Sequence, residues 1–482
     1  MNLNLSDPGS MKSRLARLSR VLVRQPFWLV WLGIGLAYTL AFGPDDVGHD
    51  AARYLMLAKS LAAGDGYRAL NLPGTPPFTL YPPGLPLLLT PMYLLFPQAP
   101  GNLGAMQLIP ALLGWLSVPL VYGTLRKQTG MSSLLSCMIT LAAFLANLAV
   151  TFTVRYPVSE APYAFFSFAA MLLLTRAISV GDRGDSTKSN WILALASLLI
   201  ACSYLVREVG LALFGATVVY FLLQRSPKRA LVVGIVFAAA IAPWAYRNVG
   251  VGSGLLGNRD YHEQFLLLDF SQPHLGRIAG PADILRRLGS NLQGHATQTV
   301  LQLMFPPLRA GRSVLVLWIE RHGLTWAVDA LGTSLLLLMV VGFAGSVARR
   351  VKLFDLYVLF YAGMILMPPW YEPRNLVPIS PLLLYYLVSG VRTVIRPLRL
   401  GADRADGISK QVALGVLTLI LASNLFVFRH DLASGSAYRR GEVSAREAAF
   451  RDAAGWITHN TAPGVSSRAI LYQRESPNPY QP

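Results

Sequence analysis

The chain has little charge and almost no cysteine. Only 14% of its 482 residues are charged and 53% are hydrophobic, with a mean hydropathy of +0.45. An average soluble protein has about 25% charged residues, so this chain lacks the polar surface that a water-soluble protein of its size needs. Its two cysteines, Cys137 and Cys202, both lie in apolar runs and exclude a disulfide scaffold, while the hydrophobic content excludes intrinsic disorder. Of these classes of protein, only a membrane protein with several spans fits the composition.

Acidic residues are also scarce. Lys and Arg total 42 against 24 acids, which gives a net charge of +18. In a soluble protein this balance would suggest a nucleic-acid partner. Here the basic residues occupy short loops between apolar runs, which is typical of cytoplasmic loops in membrane proteins. We therefore predict the lipid bilayer, and no nucleic acid, as the partner of this charge.

Long apolar runs are abundant. A transmembrane helix needs about 20 mostly apolar residues, and the sequence predicts an all-α polytopic membrane protein with about eleven such helices. The predicted spans are 26–43, 102–125, 132–153, 158–177, 190–206, 208–224, 230–246, 324–347, 353–369, 376–395 and 411–428. The stretch 82–97 is apolar but short and flanked by proline, which favours an interfacial or re-entrant helix over a span.

The positive charges orient these spans. When the basic start of the chain is placed in the cytoplasm, the Lys and Arg clusters fall in inner loops and single arginines fall in the short outer connections. Counting 82–97 as a span would invert every later loop and place the Lys and Arg clusters outside. The predicted organisation is a cytoplasmic segment at 1–25, a transmembrane domain at 26–428 with outer loops at 44–101 and 247–323, and a short extracytoplasmic tail at 429–482. Within the tail, 444–459 has the spacing of an amphipathic helix.

Ionisable residues concentrate at the outer helix ends. An ionisable residue at membrane depth is costly and indicates function by default. A transporter would place such residues near the bilayer midplane, reached from both sides, whereas this distribution is one-sided and predicts chemistry that faces outward. The acids are Asp45, Asp46, Asp50, Glu160, Glu208 and Glu372, and the arginines are Arg53, Arg155, Arg207, Arg247 and Arg374.

Structural interpretations of these residues stand beside the functional ones. Asp50 opens an amphipathic helix and has the place of an N-cap, and Glu160 begins a span, where the helix dipole favours a carboxylate. Arg207 is followed directly by an acid, and Arg374 has an acid two residues before it, so each could form a local ion pair. The histidines at the outer face have no second ligand at a recognisable spacing, so a zinc site has no support.

Several motifs resemble a known family. The segment 48–61 (GHDAARYLMLAKSL) resembles the first outer loop of the GT-C superfamily of membrane glycosyltransferases, and is most similar to glycosyltransferase family 39, which holds the protein O-mannosyltransferases and the bacterial aminoarabinose transferases. Further similar motifs are 81–86 (YPPGLP), 159–162 (SEAP), 242–248 (APWAYRN) and 373–379 (PRNLVPI). They follow one another in family order over nearly the whole chain. Ala51 departs from the family, because many relatives have Glu at that position.

The resemblance implies a GT-C fold and a function. Such enzymes take a sugar from a polyprenyl-phosphate carrier and pass it to an acceptor hydroxyl at the extracytoplasmic face of the inner membrane, with inversion at the anomeric carbon. It implies Asp50 as the general base and Glu160 as a second acid on the acceptor or metal side. The implied donor phosphate-binding residues are Arg247, Arg374, Arg155 and Arg53, and the implied pocket-lining residues are Tyr54, Tyr81, His49 and Tyr371.

Some alternatives stay open. The acceptor is a glycan, a lipid or a protein, and neither the sugar nor the acceptor follows from residue types. No cofactor other than the lipid-linked substrate is implied with certainty, and a divalent cation remains an alternative because branches of the superfamily differ in this respect. A lipid or solute transporter, a flippase, or a catalytically inactive GT-C relative would also have about eleven spans.

Overall fold

The computed structural model is helical in nearly all of its described parts. It describes residues 31–33, 35–39, 49–72, 74–98, 102–150, 153, 156–253, 280–308, 314–368, 372–395 and 402–439. Across these ranges the β-structure consists of one isolated bridge, between Arg68 and Pro77 in the first outer loop. The predicted cytoplasmic segment at 1–25 and the predicted amphipathic helix at 444–459 lie outside the described residues.

The helices follow the apolar runs of the sequence. In chain order they are α1 His49–Ala62, α2 Gly84–Leu95, α3 Leu103–Thr129, α4 Ser133–Phe144, α5 Asn147–Val150, α6 Glu160–Gly181, α7 Ser186–Val206, α8 Leu211–Leu223, α9 Pro227–Gly250, α10 Pro281–Gly294, α11 Val300–Met304, α12 Val314–Arg321, α13 Thr325–Arg349, α14 Leu353–Leu366, α15 Ser380–Ile395 and α16 Ala402–Arg439. A π-helical turn, His295–Thr299, joins α10 to α11. Short 3₁₀ helices occupy Glu208–Gly210, Pro306–Leu308 and Pro373–Leu376.

The chain is a multi-pass membrane protein. Six described helices are long and apolar enough to cross a bilayer, namely α3, α6, α7, α9, α13 and the part of α16 at Ala405–Val427. Shorter apolar helices of 10 to 17 residues occupy most of the other predicted spans, so the all-helical architecture is confirmed but the count of eleven is not. The stretch 82–97 forms the 12-residue helix α2, which contains Pro91 and is too short to span.

Glycines allow the closest approaches between helices. Gly342 on α13 and Gly390 on α15 face one another's helix so closely that a Cβ atom on either would collide with backbone atoms of the other. Small residues give membrane helices this close packing, since lipid offers no hydrophobic drive for association. Gly84, at the start of α2, lies against the end of α7, where an added Cβ would be 2.6 Å from the carbonyl carbon of Leu205.

Hairpin connections gather the predicted site residues at one end of the bundle. Helices α6 and α7 pack side by side and run in opposite directions, so Glu160 at the start of α6 meets Arg207, which caps the end of α7. Helix α1 and the loop before α2 pack at the same end, and so does the 3₁₀ helix Pro373–Leu376. We call this the Asp50 end of the molecule.

Candidate active site

Asp50 lies in the first turn of α1 and has two strong donors. The hydroxyl of Tyr81 donates to its Oδ1 at 2.7 Å, and the Arg374 guanidinium pairs with its Oδ2. Tyr81 comes from the Pro-rich loop before α2, and Arg374 lies 324 residues along the chain from Asp50. The Asp50 side chain is 22% exposed, so this carboxylate is fixed in place but reachable from outside.

The surroundings of Asp50 keep it ionised. Burial by itself would raise its pKa, but the positive charge of Arg374 and the hydrogen bond from Tyr81 outweigh burial and hold the pKa below its ordinary value of 3.8. Burial and the neighbouring carboxylate raise the pKa of Tyr81, so its hydroxyl remains protonated and donates to Asp50. At neutral pH the pair is therefore an anionic proton acceptor beside a neutral donor.

Glu160 is the buried acid of the site. Its side chain is only 1% exposed, and its Oε1 receives Arg207 Nη1 at 2.5 Å and lies 3.6 Å from Arg374 Nε. Its Oε2 is buried and makes no hydrogen bond with any residue that the structure describes. A buried carboxylate needs cations of this kind, because an unpaired charge away from water is very costly.

Arg207 connects the acid to the rest of the site. Besides Glu160, it donates through Nη2 to the side-chain oxygen of Asn375, whose backbone carbonyl accepts from the Tyr361 hydroxyl at 2.6 Å. Ser159 lies between Arg207 and the Tyr54 hydroxyl, with both contacts at 3.4 Å. Together Asp50, Tyr81, Glu160, Arg207 and Arg374 form one connected network, which we call the Asp50 cluster.

Arg374 occupies the centre of the acids. It pairs with Asp50 and Glu160, and its Nε lies 3.7 Å from Glu372 Oε2. Burial raises the pKa of Glu372 despite this neighbour. The described residues contain no group of three or more His, Cys, Asp or Glu that could hold a metal ion. Because a guanidinium already pairs with all three of these carboxylates, the described residues of the cluster do not fit a divalent cation.

Arg247 binds the first outer loop rather than the acids of this network. Its guanidinium donates to the backbone carbonyls of Phe78 and Tyr67, both at 2.8 Å, and lies over the rings of Tyr67 and Trp244. These contacts tie the end of α9 to the first outer loop. Among the described contacts of Arg247 no acid of the Asp50 cluster occurs, so the geometry favours a role in holding the loop.

The other predicted residues are partly within the site. Arg53 donates to the Tyr81 hydroxyl at 2.9 Å, and the Tyr54 ring packs against the Tyr81 ring with centroids 5.1 Å apart. Thus the described part of the predicted pocket does come together around Asp50. Arg155, Tyr371 and the side chain of His49 lie outside the described residues.

Two residues of the network have roles that sequence analysis did not assign. The sequence predicts Arg207 as an outer-face arginine that could pair with the adjacent Glu208, whereas the structure pairs it with Glu160 across the α6–α7 hairpin. Asn375 lies in the motif 373–379, which predicts no role for it. The predicted hairpin of spans 158–177 and 190–206 could have revealed the pairing of Arg207 with Glu160, because a hairpin brings the start of its first helix beside the end of its second.

Part of the chain matches a known protein family. Residues 97–242, less than a third of the chain, match the family described as dolichyl-phosphate-mannose-protein mannosyltransferase. This segment contains Glu160 and Arg207 but neither Asp50 nor Arg374. No curated protein sequence matches the chain.

Two solved structures are similar over almost the whole chain. The oligosaccharyltransferase of Archaeoglobus fulgidus, tethered to an acceptor peptide, is 15% identical with a TM-score of 0.52, and the match covers 96% of this chain and 60% of that protein. ArnT from Cupriavidus metallidurans is 17% identical with a TM-score of 0.51, covering 96% of this chain and 85% of ArnT. The chain therefore spans less than two thirds of the archaeal protein. These matches confirm the predicted resemblance: the chain has the fold of the GT-C membrane glycosyltransferases, and over residues 97–242 it resembles the mannosyltransferases of glycosyltransferase family 39.

Proposed function

We propose that this protein is an integral-membrane glycosyltransferase that transfers a sugar from a polyprenyl-phosphate donor to an acceptor hydroxyl. The observation that carries the proposal is the Asp50 cluster, in which an ionised, reachable carboxylate lies beside two arginines at one end of a membrane-spanning bundle. The matched family transfers mannose from a dolichyl phosphate, according to its description. A donor of this kind has an anionic phosphate and a lipid tail, and both find suitable surroundings at a membrane interface.

The proposed reaction is a single displacement. The acceptor oxygen attacks the anomeric carbon and forms the new glycosidic bond, while the bond between that carbon and the phosphate oxygen breaks. The acceptor proton passes to the Asp50 carboxylate, and the electron pair of the broken bond leaves with the polyprenyl phosphate. The product then has the inverted anomeric configuration. General-base catalysis of this type contributes roughly 10² to 10⁴ in rate.

Arg374 has two possible anionic partners in this scheme. In the free protein it neutralises Asp50 and lowers the basicity of that carboxylate. A donor phosphate would compete for the same guanidinium, since paired N–H donors suit a phosphate as well as a carboxylate. Once Arg374 turns to the phosphate, Asp50 loses its main counter-charge and becomes a better base. Donor binding would therefore activate the base at the moment that it is needed.

Glu160 and Arg207 act as positioning residues in this proposal. Glu160 is almost fully buried and pairs with both arginines, so it orients Arg374 and Arg207 rather than meeting the acceptor directly. Arg207 is 18% exposed and is the second guanidinium able to reach a phosphate at this end. The predicted orientation puts the reaction on the extracytoplasmic side of the inner membrane, with a glycan, lipid or protein hydroxyl as acceptor.

The test compares the lipids, glycans and glycoproteins of cells that have the wild-type protein, no protein, Asp50→Asn or Asp65→Asn. Asp65 is an exposed acid in the same outer loop and is a matched control for the change of charge. We expect one sugar-bearing species to need the wild-type protein, to disappear with Asp50→Asn and to persist with Asp65→Asn.

The outcomes separate the proposal from its rivals. If no sugar-bearing species depends on the protein, it is not a glycosyltransferase. If the species persists with Asp50→Asn at wild-type levels, Asp50 is not the base. A transporter or flippase would instead change the side of the membrane on which a lipid or solute accumulates, without changing which glycosidic bonds are made.

A further inference from the structure

A second group of cations surrounds an open cavity at the opposite end of the bundle. Glu160 and Ser179 are 19 residues apart on α6, which corresponds to roughly 28 Å along a helix. Around Ser179 lies an open cavity of about 280 Å³, lined among others by Lys127, Thr175, Arg350 and Lys352. An adjoining cavity shares Lys127, Thr175 and Ser179 and adds Arg176 and Arg183. We call the two together the basic cavity.

The cations of the basic cavity come from three separate parts of the sequence. Lys127 lies in the last turn of α3, Arg176 and Arg183 lie near the end of α6, and Arg350 and Lys352 lie between α13 and α14. The usual bias of cytoplasmic loops towards Lys and Arg explains positive charge at this end. That bias does not require the charges of three loops to converge on one concave site.

The local anions do not neutralise this charge. The residues that line the basic cavity include no Asp or Glu. Lys352 has Asp355 3.9 Å away, but in the described part of the chain no ion pair engages Lys127, Arg176 or Arg350. The negative ends of α3 and α6 offset about half an elementary charge each. Asp182 and Arg229 both act on Tyr220 of the lining and offset one another. Lys127, Arg176, Arg183 and Arg350 bring four positive charges, so a surplus of about three is left once the helix ends are counted.

Neutral hydrogen-bonding groups and apolar groups complete the lining. Gln128 donates to the Thr175 hydroxyl at 3.1 Å, and Ser179 and Tyr220 supply further hydroxyls. Ile178, near the end of the candidate span α6, and Leu353, at the start of the shorter apolar helix α14, line the same space. This combination suits a molecule with a phosphate, polar head-group hydroxyls and an adjoining apolar part.

We propose that the basic cavity binds the phosphate head group of an anionic phospholipid from the leaflet on its own side of the membrane. Basic pockets between membrane helices at the cytoplasmic side are known to suit such head groups. The site is distinct from the Asp50 cluster, because the two are separated by nearly the full length of α6. Its occupant is a resident lipid of the opposite leaflet and takes no part in the transfer reaction.

The test measures which lipids stay bound to the full-length protein. The protein is placed in bilayer discs with equal amounts of phosphatidylglycerol and phosphatidylcholine, and the lipids that remain after extraction into detergent are counted by native mass spectrometry. The cavity variant is Arg176→Gln with Arg350→Gln. The matched control is Arg225→Gln with Lys228→Gln, which removes two exposed charges that do not line the cavity.

We expect wild type and control to retain phosphatidylglycerol in preference to phosphatidylcholine. In the cavity variant this preference falls by about 25-fold, because each Lys or Arg near an anionic surface contributes about a factor of five. Equal losses in both double variants would overturn the proposal in favour of a general surface charge. Displacement of the lipid by inorganic phosphate at millimolar concentration would overturn the assignment to a lipid and indicate a soluble phosphate ligand.

Discussion

Two acids with similar partners lie at opposite ends of this molecule. Asp50 and Asp355 each accept a tyrosine hydroxyl at 2.7 Å, from Tyr81 and Tyr386 respectively, and each has a cation nearby. Asp355, however, is only 1% exposed and also accepts from Ser346 and from the backbone N–H of Lys352. Asp355, Ser346, Lys352 and Tyr386 form the Asp355 cluster. Asp50 has fewer donors and remains open to the outside.

The difference distinguishes a structural acid from one available for chemistry. Donors within the fold bind both oxygens of Asp355, so this carboxylate is saturated with hydrogen bonds and a substrate cannot reach it. Asp50 depends on Arg374, which pairs with three carboxylates and is itself 23% exposed. An incoming anion can therefore change the partners of Asp50 but not those of Asp355. Four predictions test this difference.

The largest effect concerns turnover. Asp50→Asn should lower sugar transfer by roughly 10² to 10⁴, the contribution of a general base, with little loss of stability because the side chain is partly exposed. Asp355→Asn should leave turnover unchanged and lower the stability instead. An amide N–H₂ group would face the donors that now bind a buried carboxylate, at a cost of about 1 to 3 kcal/mol. The measurements are turnover per folded molecule and the melting temperature in detergent. Equal turnover losses in the two variants would remove the distinction.

The next effect concerns stability within each cluster. Arg207→Met leaves Glu160 buried beside only the more distant Arg374, and breaking a buried pair in this way costs about 3 to 5 kcal/mol. Lys352→Met should cost less, because Asp355 keeps three hydrogen bonds. The double variant Arg207→Met with Glu160→Gln should recover part of the melting temperature. If the double variant melts below Arg207→Met, the pair is not the reason for the loss.

A smaller effect concerns donor use. Arg374→Lys retains the charge but loses the paired N–H donors, so KM for the polyprenyl-phosphate sugar should rise about 10- to 100-fold, as expected for one or two charge-assisted contacts. Arg68→Lys is the control, because Arg68 is exposed in the same loop and contacts only the Thr75 carbonyl among the described hydrogen bonds. An unchanged KM in Arg374→Lys would mean that this residue serves Asp50 and not the donor.

The smallest effect concerns pH. Asp50 must be ionised to act as a base, so activity is lost as the pH falls through its pKa, which lies below 3.8 in the free protein. Tyr81→Phe removes a hydrogen bond that favours the ionised form, so the pKa of Asp50 rises and the acid limb of kcat/KM should move to higher pH. Tyr386→Phe should leave the pH profile unchanged. If the pH profile of Tyr81→Phe coincides with that of the wild type, the hydrogen bond from Tyr81 does not determine the pKa of Asp50.

Hydropathy was sufficient to predict the all-helical, multi-pass architecture. The long helices α3, α6 and α7 lie where apolar runs of about 20 residues predicted them. Shorter helices such as α4 and α14 have only 12 and 14 residues, and sequence runs do not reveal where a helix bends or stops inside a bundle.

The pairings within the site were harder to predict. Arg207 could have paired with its neighbour Glu208, and only the packing of α6 against α7 decides for Glu160. Similarly, Arg247 and Arg374 are both arginines at outer helix ends in similar motifs. Arg247 donates to backbone carbonyls and Arg374 pairs with carboxylates. This difference depends on contacts with the first outer loop, which lies more than 150 residues earlier in the chain. Residue type predicted that these arginines bind anionic or polar oxygens, but not which ones.

The distance of 324 residues between Asp50 and Arg374 has a consequence for biogenesis. At 5 to 20 residues per second, translation takes roughly 20 to 60 s to reach Arg374 after Asp50 has been made. During that interval the nascent first loop carries a carboxylate without its counter-ion at the membrane surface. Ribosome stalling or truncation before Arg374 would leave chains in which Asp50 and Glu160 both lack this guanidinium.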